Sequence, residues 1–428
     1  MKLKSKIYID KLVGIPAAFS LNLLFQVFLL FKQEKVPDNS TIKKIVVCKF
    51  MGMGSIIQST SLLMTLKNNF PNSKIIYITT LKNYSLLETF PFVDKILIVN
   101  DKSIINLLSS LIKTIFDLWI HKADVFINLE IYSYFSTLFT VFCFPRYKIG
   151  FYRKESRIQL GLYSKMIYFN NKAPVNNIYL QAAKLLKCDS VITELYNYRS
   201  LFETDSFSLN NKLEKLIDPT KEYIVVNPNA SDLRIERRWD KSNYIELINR
   251  NIECFPDKVI VLIGSSEELE YVESIYQAIN KKYHTKVINT AGKLSLMELI
   301  VLIEKSCLMI TNDTGPMHIA FALNKKTIAL FGPCSPSEYN YRQNVFFIYK
   351  NIYCSPCVHH FSISPCNGNN QCMKLISVEE VFSIVEKVLN NKTDWNSNYL
   401  GNGIIYNISH SEIPFGLVDR KTNKIRST

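Results

Sequence analysis

From Lys43 onward the apolar residues fall into short continuous runs, separated by stretches in which they recur every three or four positions. The runs "KKIVVCKF", "SKIIYITT", "PFVDKILIV" and "ADVFINLE" read as buried strands, and "IIQSTSLLMTLKNNF", "INLLSSLIKTIF" and "IYSYFSTLFTVFCF" as the helices between them. The same order returns after residue 221. There "EYIVVNPNA", "DKVIVLIGSSE", "KVINTAG", "CLMITND" and "KTIALFGPC" alternate with the helical "KSNYIELINRNIECF", "ELEYVESIYQAINKKY", "SLMELIVLIEKS" and "GPMHIAFAL". Such alternation predicts parallel sheets built from βαβ units, an α/β class. The polar stretch from Asn197 to Lys221 lacks periodicity and is the expected linker. Two doubly wound domains follow, over 41–205 and 206–395, facing each other across a cleft, with a tail over 396–428 that has no assignable chemistry. Ligands of such sheets bind beyond the carboxyl ends of the strands, so function is sought there.

The first forty residues have a different pattern. "MKLKSKIYIDKLVGIPAAFSLNLLFQVFLLFKQEK" begins basic and is apolar from Ile15 to Phe31. As a helix that stretch rises about 25 Å, short of a bilayer's hydrocarbon core of about 30 Å. Ala18, Asn22 and Gln26 recur four apart and form one weakly polar stripe. No small-residue cleavage site follows, which argues against a secretory signal. An interfacial helix lying on a membrane is the expectation, with packing on the protein's own core as the alternative.

Composition refines this picture at two points. The formal net charge is +14, which favours an anionic partner or a membrane surface. The lysines are scattered and no aromatic RNA-binding signature accompanies them, so nucleic acid is not expected. Six of the ten cysteines are isolated, mostly among apolar residues, as in a reducing compartment. Cys354, Cys357, Cys366 and Cys372 cluster in "CSPCVHHFSISPCNGNNQC", with His359 and His360 between them. A structural zinc there is possible chemistry, but a reducible loop or free thiols fit the x5 spacing of the second pair better.

Chemistry concentrates in "TNDTGPMHIAFAL". Asp313, Thr314 and Gly315 follow a strand, and Pro316 stands where a first helical residue costs no hydrogen bond. Gly315 permits close backbone approach, and free amides with the helix dipole make an anion site suited to a diphosphate. Asp313 cannot bond phosphate directly and is expected to cap the helix or hold a sugar hydroxyl. His318, one residue after Met317, can donate to a phosphate or a departing oxygen. Arg237 and Arg238 add guanidinium forks. Asn229 and Ser231 occupy the neighbouring strand-end loop, and Glu268 or Glu267, after "LIGSS", can accept from ribose hydroxyls. No Asp-x-Asp occurs in the chain, so a metal-chelated donor is not indicated, and no cofactor is expected.

These motifs closely resemble glycosyltransferase family 9, the lipopolysaccharide heptosyltransferases. That family carries D-[ST]-G-P-M-H-x-A and then a strand ending in FGP; here the segment reads "NDTGPMHIAFALNKKTIALFGPCSP". "KFMGMGSIIQSTSLL", "NPNASDLRIERRWDKSNY" and "INTAGKLSLMELI" match in order, so the resemblance spans about Lys43 to Leu389. It implies a GT-B type fold preceded by the apolar helix. It also implies a nucleotide-sugar donor, ADP-heptose, held in the C-terminal domain by Asp313, Thr314, Gly315, His318, Arg237 and Arg238. Transfer would be inverting and metal-independent, onto a lipopolysaccharide core or related surface glycan. The enzyme would be cytoplasmic and peripheral on the inner face of the inner membrane.

One position departs from the family. Its first-domain motif ends in Gly-Asp, and that aspartate is taken as the base; here Gly52, Gly54 and Ser55 form the acceptor-side loop and Ser55 replaces it. Serine is a poor base near neutrality, so Glu130, at the end of "ADVFINLE", is the expected substitute, with Asp101 second. The rival readings are a sugar-nucleotide epimerase of the same fold and a non-catalytic nucleotide-sugar-binding regulator.

Overall fold

The computed structural model describes residues 10–29, 36–170, 172–201, 213–230, 234–339, 344–358 and 369–391, with Tyr8, Cys366 and two short strands near the C-terminus. The chain falls into two compact units, Met1–Tyr196 with Ile408–Thr428, and Asn197–Asn407.

In the first unit, six parallel strands form one sheet: β1 (Lys44–Cys48), β2 (Lys74–Thr80), β3 (Lys95–Val99), β4 (Val125–Asn128), β5 (Tyr147–Tyr152) and β6 (Lys165–Tyr168). Their order is β6-β5-β4-β1-β2-β3, with Val46 of β1 set between Ile76 and Phe126. Helix α1 is Ile15–Leu29, α2 Met53–Gln58, α3 Thr60–Asn69, α4 Ile104–His121, α5 Tyr134–Phe142 and α6 Val175–Leu185. Ser103 and Ser133 start α4 and α5 by accepting the amides of Asn106 and Ser136. The helix expected over residues 56–70 is interrupted at Ser59, whose hydroxyl donates back to the Ile56 carbonyl at 2.7 Å. Strands β5 and β6 were not visible in the apolar pattern because Lys148 and Gly150 break the run. Both are buried all the same. Lys148 is 6% exposed, and at Gly150 a Cβ would lie 2.6 Å from the Tyr163 ring.

In the second unit, β7 (Tyr223–Asn227), β8 (Val259–Leu262), β9 (Val287–Asn289), β10 (Leu308–Asn312), β11 (Thr327–Phe331) and β12 (Val345–Tyr349) are parallel, in the order β12-β11-β10-β7-β8-β9. Helices α7 (Lys241–Cys254), α8 (Leu269–Ala278), α9 (Leu296–Lys305), α10 (Gly315–Ala322) and α11 (Val378–Leu389) complete it. Trp239, 1% exposed, donates its indole N–H to the Ile376 carbonyl at 2.9 Å and ties α11 to the core. The tail contributes β13 (Gly416–Val418) and β14 (Ile425–Ser427), antiparallel strands on the β6 edge of the first sheet.

Helix α1 resolves the expectation for the N-terminus. Ala18 is fully buried against Val141, Tyr152, Leu160, Leu162, Tyr163 and Met166. Asn22 lies on Gly161, where a Cβ would meet its Oδ1 at 1.8 Å. Ala18 and Asn22 therefore face the protein, while Phe19, Leu23 and Leu24 are each more than half exposed. Packing and an exposed apolar face coexist on one helix. The turn ahead of it supplies Asp10, which accepts from the amides of Tyr134 and Phe135 at the start of α5. Burial raises the pKa of Asp10 above the ordinary carboxyl value.

A methyl at Gly150 has no room beside the rigid Tyr163 ring, whose hydroxyl accepts from Asn128 at 2.7 Å. Gly150→Ala is expected to cost about 1–3 kcal/mol in denaturant unfolding. A variant as stable as the wild type would contradict this packing.

Candidate active site

In the second sheet the chain runs outward from β7 to β9 and then returns to β10 on the other side of β7. The order reverses between β7 and β10, the place where doubly wound sheets bind ligands. These strands end in Asn227 and Asn312, at most 2% exposed. The Asn227 amide donates to Thr311 Oγ1 at 3.0 Å and to Thr314 Oγ1 at 2.7 Å. The Asn312 Oδ1 accepts from the Trp239 amide and the Tyr244 hydroxyl, and its Nδ2 donates to the Asn229 carbonyl. Asn229 in turn donates to the Ile263 carbonyl at the end of β8.

Thr314 is extended, at φ −149°, and its side chain makes no capping bond to α10. Its hydroxyl is held by Asn227 instead. The first amides of α10 are thus left without a side-chain cap, and Thr314, Gly315 and Pro316 are half-buried. An uncapped helix start leaves backbone donors of the kind that bind anions. Pro316 takes the second helical position, after Gly315.

The charged residues gather behind this turn. Arg237 Nε lies 3.5 Å from Asp313 Oδ2, and Nη1 donates to the Asp313 carbonyl at 3.3 Å. The Tyr339 hydroxyl donates to Asp313 Oδ2 at 3.4 Å. Asp313 is therefore an acceptor for Arg237 and Tyr339, with no side-chain cap on α10. His318 packs its ring edge-on to Tyr339 at 4.6 Å. Burial lowers its pKa to about 4, with Asp313 opposing and Arg237 assisting the shift. It is a neutral imidazole at pH 7, able to donate one N–H but carrying no charge. Met317 is buried in the apolar cluster beneath. Arg238 lies 4.1 Å over the Tyr271 ring and donates to the Ala230 carbonyl. Glu268 reaches the same strand edge, but its Oε2 accepts from the amide and hydroxyl of Ser265 as a capping box. Ser231 lies outside the described residues.

Sequence reasoning missed Asn227, Tyr339 and Glu338, and placed Asn312 at the strand end without giving it a role. Glu338 is 7% exposed, and its pKa is raised to about 8, first by burial and then by Asp313, against Arg237. Nothing local in "CSPSEY" announces it; only the fold brings it near Asp313.

In the first sheet the order reverses between β1 and β4. Glu130, just past β4, is 9% exposed. Its Oε2 pairs with Lys49 Nζ at 2.9 Å, and its Oε1 accepts from the amides of Phe50 and Met51 at 2.8 and 3.0 Å. Burial alone would lower the Lys49 pKa, but the Glu130 carboxylate more than offsets this and holds the amine charged. Glu130, expected as the catalytic base, is paired in this structure. Both oxygens are engaged in shaping the turn Lys49–Gly54, because a buried carboxylate must be paired and hydrogen-bonded. Gly52 takes φ +91°, a backbone that glycine adopts readily. Ser55 follows in the first turn of α2 and hydrogen-bonds Tyr179. Asp101 closes β3, two strands from β1, which is about 10 Å laterally. It is not brought to Glu130.

The four clustered cysteines are free thiols. Cys372 is pushed up to about 12 by burial and by Cys357, Cys354 and Cys366. Among the described residues no three His, Cys, Asp or Glu are arranged to hold a metal; His359 and His360 lie outside the described residues.

Two parallel α/β sheets, one with an uncapped helix start at its switch point, define a GT-B glycosyltransferase fold. Residues 117–366 match the model of glycosyltransferase family 9 (heptosyltransferase). More than half of the chain is matched, and the chain belongs to that family; it is a glycosyltransferase. It is 24% identical over 338 residues to lipooligosaccharide heptosyltransferase 2 of Campylobacter jejuni, covering 78% of this chain and 96% of that one. It is 25% identical over 346 residues to lipopolysaccharide heptosyltransferase 3 of Escherichia coli, covering 78% and 95%. The solved structure of E. coli ADP-heptose lps heptosyltransferase II has the same fold, with a TM-score of 0.63, 21% identity and coverage of 82% and 99%.

Two predictions follow from the buried charges. In Glu130→Gln, Lys49 is left without its counter-charge, so the variant is expected to lose about 3 kcal/mol of unfolding free energy, and Lys49→Met/Glu130→Leu less than that. A double variant worse than the single would contradict the pairing. The folded pKa of Glu338, about 8, lies above its ordinary value of 4.5. The native state thus keeps a proton that the unfolded chain releases, and its contribution is lost as pH rises through about 8. Glu338→Gln should match the wild type in stability at pH 4 and exceed it at pH 9. Equal differences at both pH values would refute the shift.

Proposed function

We propose that this glycosyltransferase transfers heptose from ADP-heptose to a lipopolysaccharide core or related surface glycan, with inversion and without a metal. The observation that carries the reading is the uncapped start of α10 at the β7–β10 switch point, with Arg237 set against it. The relatives' names supply the sugar and the acceptor class.

In this reading the donor diphosphate lies on the free amides of Gly315 and Met317, where the helix dipole favours negative charge. Arg237 and Arg238 add positive charge as the sugar–phosphate bond breaks, which stabilises the leaving group where a metal would otherwise be needed. Asp313 and Tyr339 fix the Arg237 guanidinium, and Asp313 accepts from a sugar hydroxyl. Neutral His318 donates one hydrogen bond to phosphate. Asn229 sets the strand-end loop, and Glu268, with Glu267 as the alternative, meets the ribose. In the first unit, Glu130 and Lys49 hold the turn that presents Gly52, Gly54 and Ser55 to the acceptor, and Glu130 is a positioning residue. The enzyme works in the cytoplasm, peripherally on the inner face of the inner membrane, where a glycolipid acceptor resides.

The test is incubation of the purified chain with a panel of nucleotide sugars and a truncated glycolipid, followed by mass spectrometry. ADP release coupled to heptosylated acceptor is expected. Arg237→Ala should weaken ADP-sugar binding by about tenfold or more, as loss of a charge-assisted hydrogen bond does. Conversion of donor without acceptor would mark an epimerase, and ADP binding unchanged in Arg237→Ala would overturn the donor site.

A further inference from the structure

Helix α4 is the crossover from β3 to β4, and its inward stripe of Leu107, Leu111, Ile115 and Leu118 packs on the sheet through Val46 and Phe126. Its outward stripe is apolar as well. Ile105 is 79% exposed, and Leu108, Ile112, Phe116, Trp119 and Ile120 are all exposed. Surface helices normally turn polar residues outward, so a helix apolar on both faces has a second partner. Phe142 and Phe144, exposed at the end of α5, extend the stripe. Trp119 packs against Phe116 and Phe144 at 5.1 and 5.9 Å, and its indole N–H donates to the Phe142 carbonyl.

The exposed charge around this face is mainly positive. Asp117 is the lone acid in α4, and it pairs with Lys95 at 2.7 Å and lies 3.9 Å from His121. Lys102, Lys113 and Lys122 are exposed before, along and after the helix. Apolar and aromatic residues bordered by lysines are the composition of a helix lying in a membrane interface. The helix is long and apolar enough to cross a bilayer, but both its ends feed strands of one sheet, so it lies along a surface instead. Helix α1 packs on the same α5, through Leu138 and Val141, and exposes Phe19, Leu23 and Leu24.

We infer that the outward face of α4, with Phe142 and Phe144, docks the first unit on an anionic phospholipid bilayer. This docking rests on the proposed function for its purpose, since a glycolipid acceptor is what brings the enzyme to a membrane. Lysines meet the anionic headgroups, each contributing near the surface, while the Ile, Phe and Trp side chains enter the boundary beneath them.

The full chain is floated with vesicles of phosphatidylcholine alone and with vesicles in which about a third of the lipid is phosphatidylglycerol. Wild type should bind the anionic vesicles preferentially and be weakened by salt. Ile105→Asp/Ile112→Asp should lower that partition by at least about tenfold, and Lys113→Glu/Lys122→Glu should abolish the preference for anionic lipid. Unfolding midpoints and ADP binding are measured on each variant. The lysine pair, remote from the core, keeps the test decisive should the aspartate pair misfold. Unchanged partition in folded variants, or no flotation of the wild type, overturns the docking surface. So does a wild-type dimer that Ile105→Asp/Ile112→Asp dissociates, which would make the face a self-interface. Vesicle binding by a wild type that fails to bind ADP would instead sink the donor reading and leave this surface standing.

Discussion

One hydrogen bond governs the chemistry of the second unit: the Asn227 amide holds Thr314 Oγ1 at 2.7 Å. A threonine at a helix start ordinarily caps it. Here the hydroxyl is drawn back to the end of β7, and the amides of α10 stay open. That diversion leaves backbone donors open at a strand–helix junction. It depends on a buried asparagine network, since Asn312 fixes Trp239 and Tyr244 on one side and the Asn229 loop on the other. Buried polar groups of this kind hold one geometry when fully satisfied and are costly otherwise.

The two switch points are built on opposite principles. At β7–β10 the backbone donors are left unpaired by side chains and a cation is placed near them. At β1–β4 a carboxylate consumes the backbone donors, because Glu130 accepts from Phe50 and Met51 while pairing with Lys49. The first arrangement invites an anion, and the second excludes one.

Much of this was legible in the sequence, for reasons that differ by element. The buried parallel strands are unbroken apolar runs, so β1, β2, β4, β7, β10 and β11 declare themselves. Strand β5 does not, because Lys148 snorkels over Phe25 at 5.5 Å and Gly150 yields to the Tyr163 ring. The strand–helix junction at Asn312–Gly315 was readable because Gly and Pro mark where an apolar run ends and a helix begins. The pairing of Glu130 was hidden for a physical reason: its position after a strand was visible, but its partner Lys49 lies 81 residues away. Glu338 was missed likewise, since its raised pKa comes from burial beside Asp313, which spacing does not encode.

The central claim is that the α10 amides themselves receive the diphosphate. Amide chemical-shift mapping of the isotope-labelled chain during titration with ADP tests it most directly. The account predicts that Gly315 and Met317 shift most and saturate together. Shifts confined to other loops, with these two amides unmoved at saturation, would contradict it.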